Sequence, residues 1–144
     1  MVQLSLAGDA DARLKRRGMG RVHHRILYFA HFCPGIAIGD LLTVLDVRHQ
    51  NIQPVLRQLV DDGYIVARQA AGDGRVKRLY SSRKGDKLLE FVSAGQRKRI
   101  LRAYGRVNPR DVQSYFKVKE AMLDPDRRAW VDRLTRLDYP GEAV

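Results

Sequence analysis

The stretch from Ile36 to Ser82 constrains the fold more than any other part of the chain. It opens with a short apolar helix pattern, Ile38-Gly-Asp-Leu-Leu-Thr-Val-Leu45, whose Leu41, Leu42 and Leu45 share one face. Asp46-Val47 makes a turn. A second helix pattern follows, with Ile52, Val55, Leu56, Leu59 and Val60 apolar and Gly63 as its terminator. Then come an alternating run, Tyr64-Ile-Val-Ala-Arg68, a Gly-rich hairpin, Ala70-Ala-Gly-Asp-Gly-Arg75, and a second strand, Val76-Lys-Arg-Leu-Tyr80.

Helix, tight turn, helix and basic hairpin in this order predict a winged helix-turn-helix, which sets its second helix in a DNA major groove. The predicted class is α+β, mostly α-helical. The winged core spans residues 21–82, with a recognition helix over about 49–62 and a wing over about 64–81. Pro54 conflicts with a helix starting at Arg48, because six residues in it removes the bond to the Gln50 carbonyl and should kink the helix. A late start capped by Asn51 would place Pro54 in the first turn at little cost, and is the preferred reading.

Residues 1–12 show no sustained periodicity and are expected to fray, with a helical turn or two around Asp11–Arg17. From Arg21, apolar residues recur at Val22, Ile26, Phe29, Ala30 and Cys33, tracing a helix face that Pro34-Gly35 ends. After the wing, Ser81 or Ser82 caps a long helix over about Lys84–Tyr104, carrying Leu88, Leu89, Val92 and Ile100. Asn108-Pro109-Arg-Asp111 restarts a helix bearing Val112, Tyr115, Phe116 and Met122. Asp124-Pro125-Asp126 begins another, with Trp130, Leu134 and Leu137. Stripes this apolar in residues 83–138 suit burial against a second copy, although packing within one chain is the alternative. The whole, 1–144, reads as a single domain.

Net charge is +11 and the pI near 10.3, which suits a polyanionic partner. A genome preferring Arg codons would give the same bias, so the motif carries more weight than the charge. The lone Cys33 excludes an intramolecular disulfide and a multi-cysteine zinc site. No apolar run approaches the ~20 residues of a bilayer span, and the first residues lack a basic-then-apolar leader. A cytoplasmic location without membrane partners is expected. Neither a P-loop, a G-x-S-x-G elbow nor an H-E-x-x-H helix occurs, so neither enzyme activity nor a cofactor is expected.

Several segments resemble the multiple antibiotic resistance regulator (MarR) family of transcription factors. Asp73-Gly-Arg75-Val-Lys-Arg-Leu79-Tyr-Ser-Ser82-Arg-Lys-Gly85 is similar to the family's D-x-R-x-x-x-L-x-L-T-x-x-G pattern, with Ser81 for an aliphatic residue and Ser82 for threonine. Val55-Leu-Arg-Gln-Leu-Val-Asp-Asp-Gly-Tyr-Ile65 resembles the end of the recognition helix and the first wing strand. Gly20-Arg-Val-His-His-Arg-Ile-Leu27 resembles the helix before them. The likeness covers residues 20–104 best. It implies a homodimer on a pseudo-palindromic operator of double-stranded DNA, often released by a small molecule. The region before Arg21 is shorter than the family's usual first dimerisation helix, so dimer contacts would lean on the C-terminal end.

Within this frame the reading residues are Gln50, Asn51 and Gln53, whose amides can bind adenine edges bidentately, with Arg48, His49 and Arg57 for phosphate or guanine. In the wing, Arg75 at the tip and Lys77 in the strand suit the backbone or minor groove, and Asp73 would hold an Arg in place. Arg97, Lys98, Arg99, Arg102, Arg106 and Arg110 form a second basic cluster, read as a solvated face rather than further DNA contact. Cys33 reads as core rather than as a redox sensor. His23, His24 and His31 lack a carboxylate at ligand spacing, so no metal is expected. His23, His24, Tyr28, Phe32 and Tyr104 are candidates either for an effector pocket, suited to a small aromatic acid or phenol, or for plain packing. The expected function is a sequence-specific, ligand-responsive repressor. A sequence-indifferent nucleoid-type DNA binder and a winged-helix protein-interaction module are the alternatives.

Overall fold

The computed structural model describes residues 2–70 and 73–136. Its elements are α1 (Val2–Lys15), α2 (Arg21–Phe32), β1 (Ile36–Ala37), α3 (Ile38–Leu45), α4 (His49–Asp61), β2 (Ile65–Ala70), β3 (Asp73–Ser81), α5 (Arg83–Tyr104), α6 (Pro109–Ala121) and α7 (Pro125–Arg136). The three strands form one antiparallel sheet in the order β1-β3-β2. The class is α+β with a winged helix-turn-helix, as the periodicities predicted.

Local chemistry explains most boundaries. Asp46, in the left-handed region at φ 53°, ends α3, and Val47 N–H reaches back to the Leu42 carbonyl at 3.2 Å. Gly63, at φ 71°, ends α4 in a Schellman motif. Tyr64 N–H bonds the Leu59 carbonyl at 2.8 Å, and Gly63 N–H bonds that of Val60 at 2.9 Å. Ser82 is the cap of α5, its Oγ accepting from Gly85 N–H at 3.0 Å. Asn108 caps α6 through Arg110 N–H, with Pro109 at the first position. Asp124 accepts from Arg127 N–H at 3.0 Å, at the head of α7.

The structure corrects three expectations. Residues before Asp11 do not fray: α1 begins at Val2, and Ala10 and Leu14 are buried in the common core against α5. Only this long-range packing makes so weakly amphipathic a segment worth ordering. Second, α4 starts at His49 with Arg48 as N-cap, not at Asn51, and Pro54 lies inside the helix. Pro54 and Gln50 are both exposed, so water can take the carbonyl bond that proline forgoes. Third, β1 was not expected. Gly35, at φ 84°, turns the chain into it; Gly35 N–H bonds the Leu79 carbonyl, and Arg78 Nη1 bonds the Gly35 carbonyl at 3.0 Å.

The core joins Ile26, Leu27 and Ala30 of α2, Leu41 and Leu45 of α3, Ile52, Leu56 and Leu59 of α4, and Leu88, Leu89 and Val92 of α5. Ile36, Ile65 and Leu79 add the sheet to it. By contrast α6 has no buried residue, and Tyr115, Phe116, Val118 and Met122 are exposed. Tyr104 packs edge-on to Phe116 at 6.0 Å between centroids. The side chains of Trp130 and Leu134, and all of Leu137, lie outside the described residues.

Candidate nucleic-acid interface

Burying Ile52, Leu56 and Leu59 leaves the opposite side of α4 to solvent. Arg48, His49, Gln50, Asn51 and Arg57 are exposed, and Gln53 is half-buried. His49, Gln53 and Arg57 recur every four residues and so form one strip. Gln53 Nε2 donates to His49 Nε2 at 2.7 Å, which steadies both side chains on that strip.

The wing meets the same strip. Gln53 and Arg57 from α4 and Lys77 from β3 line a crevice of about 270 Å³ together with Ile38, Leu56, Val60, Asp61 and Ala67. Two helix residues and a strand lysine therefore face one channel, an arrangement able to engage base edges and an adjoining phosphate together. Lys77 is exposed and pairs across the hairpin with Gln69. Asp73 pairs with Ala70, and the register shifts between Gln69 and Ala70. Arg75 falls in that irregular part of β3 rather than at the hairpin tip, since the strand already begins at Asp73. The side chains of Asp73 and Arg75 lie outside the described residues.

A second feature lies between α2 and α5: a pocket of about 700 Å³ lined by His24, Tyr28 and Phe32 and by Phe29, His31, Ser93, Ile100 and Leu101. Two candidates do not belong to it. His23 turns to α4, where it meets Gln58, and Tyr104 turns to α6. His24 Nε2 meets Ser93 Oγ at 3.0 Å; burial pushes its pKa down, with Asp11 opposing more weakly. His31 Nδ1 donates to Asp86 Oδ1 at 2.7 Å, linking α2 to α5 within the pocket lining. Sequence reading missed His31 and Asp86 as partners because its ligand search followed short spacings, and the carboxylate comes from another helix. Among the described residues no group of three or more His, Cys, Asp or Glu gathers to hold a metal.

Cys33 is buried, and burial raises its thiol pKa, which keeps it protonated and weakly nucleophilic. Arg97, Lys98, Arg99, Arg102, Arg106 and Arg110 are all exposed in the last turns of α5 and beyond, beginning about 20 Å along the helix from the wing. No helix among the described residues is long and apolar enough to cross a membrane.

Residues 17–76 match the sequence model of the MarR family. The chain is also 38% identical over 120 residues to the HTH-type transcriptional regulator PetP of Rhodobacter capsulatus, covering 83% of this chain and 72% of that protein. The chain belongs to the MarR family. Its fold superposes on a mutant of MepR from a multidrug-resistant S. aureus clinical isolate with a TM-score of 0.73 at 18% identity, over 85% of this chain and 89% of that one. The structure of S. aureus MepR with DNA matches with a TM-score of 0.65, also at 18% identity, over 85% of this chain and 90% of that one.

The MarR pattern acquires a physical meaning at its C-terminal end. Leu79 is fully buried beneath the sheet. Ser82 stands where the pattern has threonine and still supplies the capping oxygen, while its hydroxyl donates to the Gly63 carbonyl at 2.7 Å. Gly85 is obligatory for space: a Cβ there would sit 2.2 Å from the Tyr64 carbonyl oxygen. The wing's base, the end of α4 and the start of α5 are thus locked at one point.

Proposed function

We propose that this MarR-family protein is a sequence-specific DNA-binding transcriptional regulator, acting in the cytoplasm as a homodimeric repressor on a pseudo-palindromic operator. The convergence of Gln53, Arg57 and Lys77 on one crevice carries the reading. In it, α4 enters the major groove, where Gln50, Asn51 and Gln53 read base edges, while Arg48, His49 and Arg57 take phosphate or guanine. Lys77 and Arg75 follow the backbone or minor groove beside it, and Asp73 orients an arginine of the wing. The relationship to a named transcriptional regulator supports the assignment, as does the fold shared with a DNA-bound structure.

The exposed apolar face of α6 supplies a surface for the second copy. Two recognition helices would then meet half-sites centred about 10 bp apart. The pocket between α2 and α5 accepts a small aromatic acid or phenol, with Tyr28, Phe29 and Phe32 for the ring and His24 and His31 for its polar groups. Its occupancy weakens operator binding.

Selection of bound fragments from random DNA, followed by footprinting, tests the assignment. A recovered palindrome protected over both half-sites is expected. Equal affinity for all fragments would instead establish a sequence-indifferent binder. Screening aromatic acids against the operator complex tests the pocket, and no shift in affinity or Tm would leave a ligand-independent regulator.

A further inference from the structure

Three consecutive residues of α2 reach three different elements. His23 Nε2 meets Gln58 Oε1 of α4 at 2.8 Å, His24 meets Ser93 of α5, and Arg25 Nη2 donates to the Leu45 carbonyl of α3 at 3.2 Å. Successive side chains on a helix point about 100° apart, so one turn of α2 ties down the three helices around it. His23 is the member that touches the recognition helix.

Its tautomer is set by geometry. Gly20 N–H donates to His23 Nδ1 at 3.1 Å, closing the first turn of α2, so Nδ1 carries no proton. The neutral ring then has its proton on Nε2, which donates to the Gln58 side-chain amide oxygen, Oε1. Gln58 and Gln53 are five residues apart, on opposite flanks of α4, with the buried Ile52–Leu56–Leu59 stripe between them.

That stripe holds α4 to the core, but apolar contact has no direction and tolerates small rotations about the helix axis. A hydrogen bond does not. Bidentate base recognition needs its groups held within about 0.5 Å and 10–20°, whereas long Arg and Lys side chains follow a phosphate through small displacements. We propose that His23 is a positioning residue for base reading: through Gln58 it sets the rotation of α4, and hence the aim of Gln53, on the operator. This inference rests on the assignment of α4 as the DNA-reading helix.

The test compares the parent with His23→Leu, His23→Gln, Gln58→Leu and the double leucine variant on selected operator and on random DNA. Leucine at 23 has apolar neighbours in Leu14, Met19, Leu27 and Leu59. Glutamine can accept from Gly20 N–H and donate to Gln58, so it preserves both bonds. His23→Leu and Gln58→Leu should each lower the operator-to-random affinity ratio about fivefold, as expected for one hydrogen bond. The double variant should lose no more than either single one, and His23→Gln should retain the parent ratio. A merely structural role would lower Tm and leave the ratio unchanged. Imidazole ¹⁵N shifts of the free protein should show a bare Nδ1 and a protonated Nε2 at His23. A selective parent with an unchanged ratio in His23→Leu and Gln58→Leu would overturn this inference alone. So would a protonated Nδ1. A parent that binds all DNA equally would overturn the proposed function, and this inference with it.

Discussion

Gly85 shows how a single residue can hold the relation between the start of the wing and the helices behind it. Its hydrogen stands where α5 crosses the start of β2, and a methyl group would meet both the Tyr64 carbonyl and Leu27 Cδ1. Backbone cannot yield as a side-chain tip can, so Gly85→Ala is expected to cost about 1–3 kcal/mol or more, read as a lower Tm in thermal melts. Gly39→Ala is the control, since nothing lies within 4 Å of a Cβ there. His24 makes a pH-dependent contribution of known sign. Burial lowers its folded pKa below the ordinary value of 6.5, so the unfolded chain binds the proton more readily. Its contribution is fully present above pH 6.5 and is lost as pH falls through the folded value. Denaturant unfolding from pH 7.5 down to 5 should show falling stability, and His24→Gln should flatten part of that slope.

At the scale of elements, α4 and the wing are expected to contribute differently to DNA binding. Gln53 sits on a helix strip braced by His49, and one amide–adenine pair discriminates by about 1–3 kcal/mol. Gln53→Ala should therefore lose operator affinity while random-DNA affinity changes little. Lys77→Ala should weaken both, and lower the salt slope by about one unit for one phosphate released. Binding isotherms at several salt concentrations separate the two; equal operator binding by parent and both variants would displace the reading surface from α4 and β3. Arg75→Ala belongs with Lys77 if it follows the backbone, whereas a minor-groove role makes its effect depend on flanking A·T steps.

At the scale of the molecule, the larger share of the apolar surface left exposed after folding lies from the end of α5 onward. Among the described residues Leu101, Val107, Tyr115, Phe116, Val118 and Met122 remain exposed there, and a second, smaller group, Tyr28, Phe32 and Phe91, stays exposed on α2 and α5. Such a patch is costly in water, and a two-fold interface removes it from both copies at once. Light scattering at micromolar concentration should return twice the 16.5 kDa chain mass, and truncation before Asn108 should return a monomer. The packing of α1 on α5, through Ala10, Leu14 and the Arg13 and Arg17 guanidinium groups 4.8 Å from the Phe91 ring centre, shows that the N-terminal helix also braces the helix leading to this surface.

Features decided within one helical turn were legible in the chain itself. The terminators at Asp46 and Gly63, the caps at Asn108 and Asp124 and the 3.6-residue stripes of α2 to α5 all follow from neighbours three or four positions apart, and the hairpin from two alternating runs around a Gly-rich turn. The family resemblance rested on the same local order. Other features required the assembled fold. Nothing near Ala10 announces that α5 will cover it, two residues are too few to mark β1 by periodicity, and the exposure of Gln50 and Pro54 is set by how α4 packs. His31 finds Asp86 across 55 positions and His23 finds Gln58 across 35, so no spacing rule links them. Local propensity speaks through bonds that close over a few residues; which distant side chains meet is decided by how the helices pack around a shared core, and that is why α4 was legible from sequence while its contact with His23 was not.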